Sequence, residues 1–219
     1  MTEGTPVVTG TAEGSGLADG TDSAVAEAYR VLRSRIDLSV LPPLTRAVTE
    51  AVLCATADFD YVTDLVLDEA VLAAGVSALK YGAPVIADSA MVAGGIAGCP
   101  VICKAAEPLA GRLSRTAGIT VAAAGVRLGF GEAGPGAVWV VGSAPDALDE
   151  IMSRFVDPAL VIGVPVGLDG AAAAKEALRA SGAPSVSNVS EKGGPAVAVA
   201  VFEALYRVAA RATGHAGSD

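Results

Sequence analysis

Two rhythms of apolar and polar positions run along this chain. The first is helical. In AVAEAYRVLRSRI, Val25, Tyr29, Leu32 and Ile36 recur every three or four positions, and Asp22 and Ser23 just ahead of them suit a helix cap. Pro42 and Pro43 punctuate the chain. LTRAVTEAVLCATAD then forms a second helix, with Leu44, Val48, Val52 and Leu53 facing inward and Cys54 in its last turn. Beyond Asp60 the rhythm changes, and short apolar runs alternate with helical stretches. TDLVLD, APVIAD, PVICK, GAVWVVGSAP and ALVIGVPVG read as strands, and PSVSNVS as a weaker one. Between them lie the helices EAVLAAGVSALKYG, which stops at Gly82, EPLAGRLSRTAG, DALDEIMSRF and DGAAAAKEALRASG. GGPAVAVAVFEALYRVAARA closes the fold.

Strand, turn and helix in repetition predict an α/β domain whose mostly parallel sheet carries helices on both faces. APVIAD has the continuous apolar character of a strand covered on both sides. Ligands in such folds sit beyond the C-terminal ends of the strands. Neither the dinucleotide fingerprint nor a phosphate-binding P-loop is present, and no internal repeat indicates a solenoid.

Composition narrows the field. With 219 residues, 52% of them hydrophobic, the chain suits one large domain with a substantial core. Aromatics are only 4%, so Ala, Val, Gly and Leu must fill that core and let helices approach the sheet closely. A net charge of -9 argues against a nucleic-acid partner, which would require a basic stripe. No apolar run is long enough for a membrane span and no secretory signal opens the chain. An odd set of cysteines, Cys54, Cys99 and Cys103, suits a reduced cytoplasm, and without further ligands the last two make no zinc site. The sole histidine, His215, lies in the C-terminal tail, so no histidine base is expected in the body of the fold. Residues 1–22 and 213–219 read as disordered tails around a folded stretch, 23–212.

Four loops at strand ends are candidates for chemistry. Asp88–Ile96 carries Gly94 and Gly95, whose backbone could approach an anion, although a cap at Asp88 explains the same residues. Gly142-Ser143-Ala144-Pro145 has Pro145 at a first helical position and Ser143 as a possible cap. Gly163–Gly170 bends at Pro165, and Lys175 follows in the next helix, where a surface lysine is equally consistent. Glu191-Lys192-Gly193-Gly194-Pro195 opens the last helix, where Lys192 beside free N–H groups would attract a carboxylate. Asp58 and Asp60 form a possible acid–base pair, or simply a solvated loop with a cap for the next element.

At these loops the sequence resembles the precorrin-8X methylmutase family of cobalamin biosynthesis. The resemblance runs from about Ala26 to Tyr206 and rests on AYRVLRSRIDLS, PPLTRAVTEAVLCATADFDY, ALKYGAPVIADSAMVAGGI, VVGSAPDAL, PALVIGVPVGLDGAAAAKEAL and EKGGPAVAVAVFEAL, in that order. It implies a three-layer α/β/α fold, a homodimer and a corrin (tetrapyrrole) ligand. It also implies a methyl shift from C11 to C12 of the ring, with no redox cofactor and no metal. Carried onto this chain, the substrate contacts fall at Thr56 and Asp58; at Asp88, Met91, Val92, Gly94 and Gly95; and at Thr120 and Val121. They continue at Ser143, Ala144 and Pro145; at Pro165, Val166, Gly167, Leu168 and Lys175; and at Lys192, Gly193 and Gly194.

The chain departs from the family pattern at polar positions. Cys54 stands where the family keeps a histidine regarded as its proton donor. A thiol has a reference pKa of about 8.5 against about 6.5 for imidazole. Ala28 stands at a usual serine, Val121 at an arginine, Ser143 at an asparagine, Leu168 at a phenylalanine, Ala173-Ala174 at Glu-Ser and Pro195 at a serine. The turns survive while polar groups are lost. Three readings follow: a methylmutase using Cys54, a paralogue that binds a corrinoid without rearranging it, or a remodelled pocket for another small ligand.

Overall fold

A central sheet of six strands organises the chain from Leu38 onward, in the order β1-β6-β5-β4-β2-β3. The computed structural model describes residues 16–154 and 157–214. Most of the two expected tails, and His215 with them, fall outside those residues. The strands are β1 (Leu65–Val66), β2 (Val85–Ala87), β3 (Val101–Ile102), β4 (Val138–Val141), β5 (Leu160–Gly163) and β6 (Ser185–Asn188). All neighbours are parallel except β1, which runs antiparallel along β6 with Leu65 opposite Asn188. Val85 faces Val138, which in turn faces Leu160. VWVV and LVIG are buried along their whole length, as strands covered on both faces must be.

The helices of this unit are α2 (Pro43–Thr56), α3 (Tyr61–Asp64), α4 (Glu69–Lys80), α5 (Ala90–Gly95), α6 (Pro108–Ala117), α7 (Val121–Ala133), α8 (Pro145–Ser153), α9 (Ala171–Ala180) and α10 (Pro195–Gly214). α1 (Gly16–Arg35) lies in a separate unit that ends at Asp37. It begins ahead of the cap expected at Asp22, and an exposed Arg30–Glu27 pair at 2.5 Å ties one of its turns.

Alternation along the strands divides the core. Ile86, Trp139, Val141 and Val161 point to one side and pack with Val126, Ala147, Leu148, Ile151 and Leu178 of α7, α8 and α9. On the other side α10 packs on α2, α4, α5 and the sheet. Small residues set the spacing, since a Cβ on Gly75 would meet Leu160 at 2.7 Å and one on Gly129 would meet Ile86 at 2.9 Å.

The pattern of the sequence missed three helices, and each omission has a cause. α7 holds Gly125, Gly129 and Gly131, poor helix formers whose cost is offset by packing; at Gly125 a Cβ would strike the Ala105 backbone at 2.8 Å. α3 and α5 are too short to show a period. The start of α2 also needed the fold: Pro42 offers no side-chain cap, so the Glu69 carboxylate of α4 accepts from the Leu44 and Thr45 amides instead.

Candidate functional site

Because β6, β5, β4 and β2 are neighbours, the four candidate loops stand side by side at the C-terminal edge of the sheet. Backbone bonds stitch them together. The Gly194 amide donates to the Val164 carbonyl at 2.8 Å and the Gly167 amide to the Glu191 carbonyl at 3.1 Å. Gly142 lies so close to the start of α10 that a Cβ there would meet Pro195 Cα at 2.9 Å. Gly193 has φ +145°, and a Cβ there would stand 2.2 Å from the Val164 carbonyl oxygen. Only glycine satisfies both the torsion and the space.

Charge pins the β6 end of this row. Lys192 Nζ reaches Asp58 Oδ2 at 2.7 Å and Asp60 Oδ2 at 2.6 Å. The Lys192 ammonium is the largest cause holding the Asp58 carboxyl below its ordinary range, and the two carboxylates raise Lys192 in return. The expected role of Lys192 changes accordingly. Its charge is already matched within the protein, so it is not a free cation waiting for a carboxylate. Asp58 Oδ1 also accepts from the Asp60 amide at 3.0 Å, and the Asp58 amide donates to Thr56 Oγ1. Asp60 precedes α3 without capping it. Cys54, half-buried in the last turn of α2, lies just before this turn.

Behind Lys192 is a second polar layer. Lys175 has no exposed surface and donates to Asn188 Oδ1 at 2.9 Å and to the carbonyls of Ser190 at 2.5 Å and Lys192 at 2.7 Å. It is therefore no surface lysine. Burial pulls it down to about 8, helped by Arg179 and opposed by Asp64 and Glu191. Asp64 accepts from Asn188 Nδ2, from the Val189 and Ser190 amides and from the Ser190 hydroxyl. Burial pushes Asp64 upward, but these bonds outweigh it and leave the carboxyl below its ordinary range.

The β2–β4 end is held differently. Asp88, only 2% exposed, does not cap the helix after it; Ser89 does, accepting from the Val92 amide. Asp88 Oδ2 instead reaches across to the Ser143 and Ala144 amides at 2.7 and 2.9 Å. Ser143 does not cap α8 either, and its hydroxyl pairs with that of Ser89 at 2.7 Å. Burial raises the Asp88 carboxyl above its usual range despite these amides. Among the described residues Asp88 Oδ1 has no hydrogen-bond partner.

The remaining expected contacts divide by exposure. Met91, Val121, Val166 and Leu168 are exposed apolar side chains at loop ends or helix heads, Leu168 at 96%. Thr120 caps α7 through the Ala123 amide, and Pro145 takes the first turn of α8 as expected. Val92 is wholly buried in α5, while Gly94 and Gly95 beside it are exposed. Pro165 is buried where the chain leaves β5. Asp64, Asn188, Ser190 and Arg179 escaped the reading of the sequence. For Asn188 and Ser190 the signal was the broken alternation of PSVSNVS, whose Ser187 and Asn188 are polar yet buried; Asp64 and Arg179 carried none.

With this geometry in hand, the profile of the precorrin-8X methylmutase family matches residues 25–208. The chain belongs to the precorrin-8X methylmutase family. It is 36% identical over 166 residues to the cobalt-precorrin-8 methylmutase of Methanocaldococcus jannaschii, spanning 74% of this chain and 79% of that protein. With the cobalt-precorrin-8 methylmutase of Salmonella typhimurium it shares 34% over 182 residues, 80% of this chain and 87% of that one. The crystal structure of precorrin-8X methylmutase from Thermus thermophilus superposes with a TM-score of 0.79 at 29% identity, covering 87% of this chain and 97% of that one. The α/β fold with a mostly parallel sheet is thus that of the precorrin-8X methylmutases. No described helix is long and apolar enough to cross a membrane.

Proposed function

We propose that this chain is a methylmutase-like protein of cobalamin biosynthesis that takes a corrin precursor at the row of loops along the C-terminal edge of its sheet. The observation that carries this reading is the continuity of the row. Four loops from β2, β4, β5 and β6 form one stitched surface in a chain whose family profile spans residues 25–208. The reaction implied by that kinship is an isomerisation: the ring takes a proton, a methyl migrates from C11 to C12 and the ring gives a proton back, with no change of oxidation state.

The chain's own residues would divide the work. The glycines at Gly142 and Gly193 let the loops pack closely enough against one another to present one face to a flat ligand. Met91, Val121, Val166 and Leu168 offer apolar surface to its faces. Cys54 is the group proposed to donate the proton, at the end of the helix that Lys192 ties to the β6 loop through Asp58. A dimer and a cytoplasmic setting belong to the same proposal.

A second reading is favoured by one observation: Lys192 is already neutralised by Asp58 and Asp60. A protein of this kind would bind a corrin without turning it over. One experiment separates the two. Turnover of precorrin-8X is followed by the visible spectrum for the wild type, Cys54→Ala and Cys54→His. The active reading requires turnover that Cys54→Ala abolishes and Cys54→His preserves or raises. Absence of turnover, with a spectral shift on titration with hydrogenobyrinic acid, selects the binding reading. Absence of both defeats the proposal.

A further inference from the structure

Lys175 was expected to touch a ligand, and its geometry points to a different task. Its side chain has no exposed surface. An ammonium has three protons to donate, and three acceptors surround this one: Asn188 Oδ1 at 2.9 Å, the Ser190 carbonyl at 2.5 Å and the Lys192 carbonyl at 2.7 Å. The count matches the charged form. No carboxylate touches it among the described residues; the nearest link is Asn188, whose Nδ2 donates to Asp64 Oδ2 at 2.8 Å. Asp64 in turn gathers the Val189 amide and both the amide and hydroxyl of Ser190.

The loop between β6 and α10 is therefore gripped from two sides. The cation of α9 takes its carbonyl groups, and the anion at the end of α3 takes its amides. Asn188 bridges the two, donating also to the Lys192 carbonyl at 2.8 Å. The Lys192 carbonyl is thus fixed by two donors while the Lys192 ammonium reaches Asp58 and Asp60. A backbone held at one end and a side chain tied at the other set the distance between the last turn of α2 and the head of α10.

We propose that Lys175, acting with Asp64 through Asn188, is a positioning residue: its buried charge fixes the Ser190–Gly194 loop and, through Lys192, the Cys54–Asp60 turn, and it makes no contact with the ligand. The proposal rests on the reading of this loop as part of the corrin site. The charged and titratable groups around the ammonium are Asp64 from α3, Arg179 from α9 and Glu191 from the loop itself.

Charge, as opposed to mere filling of space, is the testable element. Lys175→Ala removes the ammonium and leaves a space that a small alkylammonium ion can enter. Amide exchange at residues 189–194 is measured at fixed pH, together with affinity for hydrogenobyrinic acid. In Lys175→Ala the amides are expected to exchange at least about tenfold faster, with other helices unchanged, and affinity to fall by about tenfold. Ethylammonium ion restores both, while ethanol at the same concentration restores neither. Unchanged exchange in the loop overturns the proposal, as does equal rescue by ethanol. Should Lys175→Ala fail to fold, Asp64→Asn serves: it is expected to speed exchange at 189, 190 and 192, and a fully protected loop overturns the proposal. If the wild type neither turns over precorrin-8X nor binds hydrogenobyrinic acid, the functional reading fails while the exchange and rescue arms still decide the role of Lys175.

Discussion

The two ends of the loop row solve the same problem with different chemistry. At the β6 end, ions do the holding: Lys175, Asp64, Lys192, Asp58 and Asp60 bind loops to helices. At the β2–β4 end, one buried carboxyl grips two backbone amides, and two hydroxyls pair beside it. The difference shows in how burial acts on the carboxyls. Asp64 is half-buried and has four donors, and its pKa falls. Asp88 is buried much more deeply, and its pKa rises despite the amides it accepts from. The balance decides the direction: deep burial outweighs the donors at Asp88, and the donors outweigh partial burial at Asp64.

The strongest way to break the β6 end is steric. Gly193→Ala places a Cβ 2.2 Å from the Val164 carbonyl oxygen at φ +145°. A loss of about 3 kcal/mol is expected from strain of this kind, read as a fall in the denaturant midpoint at constant slope. The β2–β4 end should break next. Asp88→Ala leaves the Ser143 and Ala144 amides without an acceptor and is expected to cost about 2 kcal/mol.

Asp88→Asn sharpens the comparison through pH. The folded pKa of Asp88 lies above its ordinary value of 3.8, so the folded state holds this proton more tightly than the unfolded state. The stabilisation is complete below 3.8 and is lost as pH rises through the folded pKa. Asp64 runs the other way: its folded pKa is lowered, so its contribution is present above 3.8 and lost as pH falls through the folded value. Thermal melts from pH 3 upward should therefore show Asp88→Asn gaining on the wild type as pH rises, and Asp64→Asn losing ground. A parallel response of both variants would mean the two ends do not differ.

Smaller effects follow. Ala57 ends α2 in the left-handed region at φ 53°, a conformation that costs a residue with a Cβ about 1 kcal/mol or more. Ala57→Gly should raise stability by about 1 kcal/mol, or a few degrees in Tm. The least expected change in stability is from Lys192→Met, which removes solvent-accessible pairs and a 6.0 Å contact with the Tyr61 ring. Its effect is local: the Asp58 carboxyl should return toward its ordinary range, as measured by carbon NMR titration.

Much of the scaffold was legible because its signals are local. The strands around Val85, Val138 and Leu160 are continuous apolar runs, and Gly82 stops α4 where the sequence places it. α7 was not legible, because its glycines lower helix propensity and their value lies in the Ala105 and Ile86 atoms they admit. Among candidate residues, the loops were legible and the partners were not. Asp88 looked like a cap for the next helix and serves the turn after β4; Lys192 looked like a free cation and is paired twice; Lys175 fitted a surface position and is enclosed.

By itself, the sequence determined the α/β class, the run of parallel strands and the kinship with the precorrin-8X methylmutases. Periodicity and turn residues act within a few positions of one another, and the carrying pieces occur in order. Only the tertiary structure decided which charges meet. Asp58 lies 134 positions from Lys192, and Asp88 lies 55 from Ser143. Those pairs exist because the strand order sets β6, β5, β4 and β2 side by side, so that residues distant in sequence share one edge.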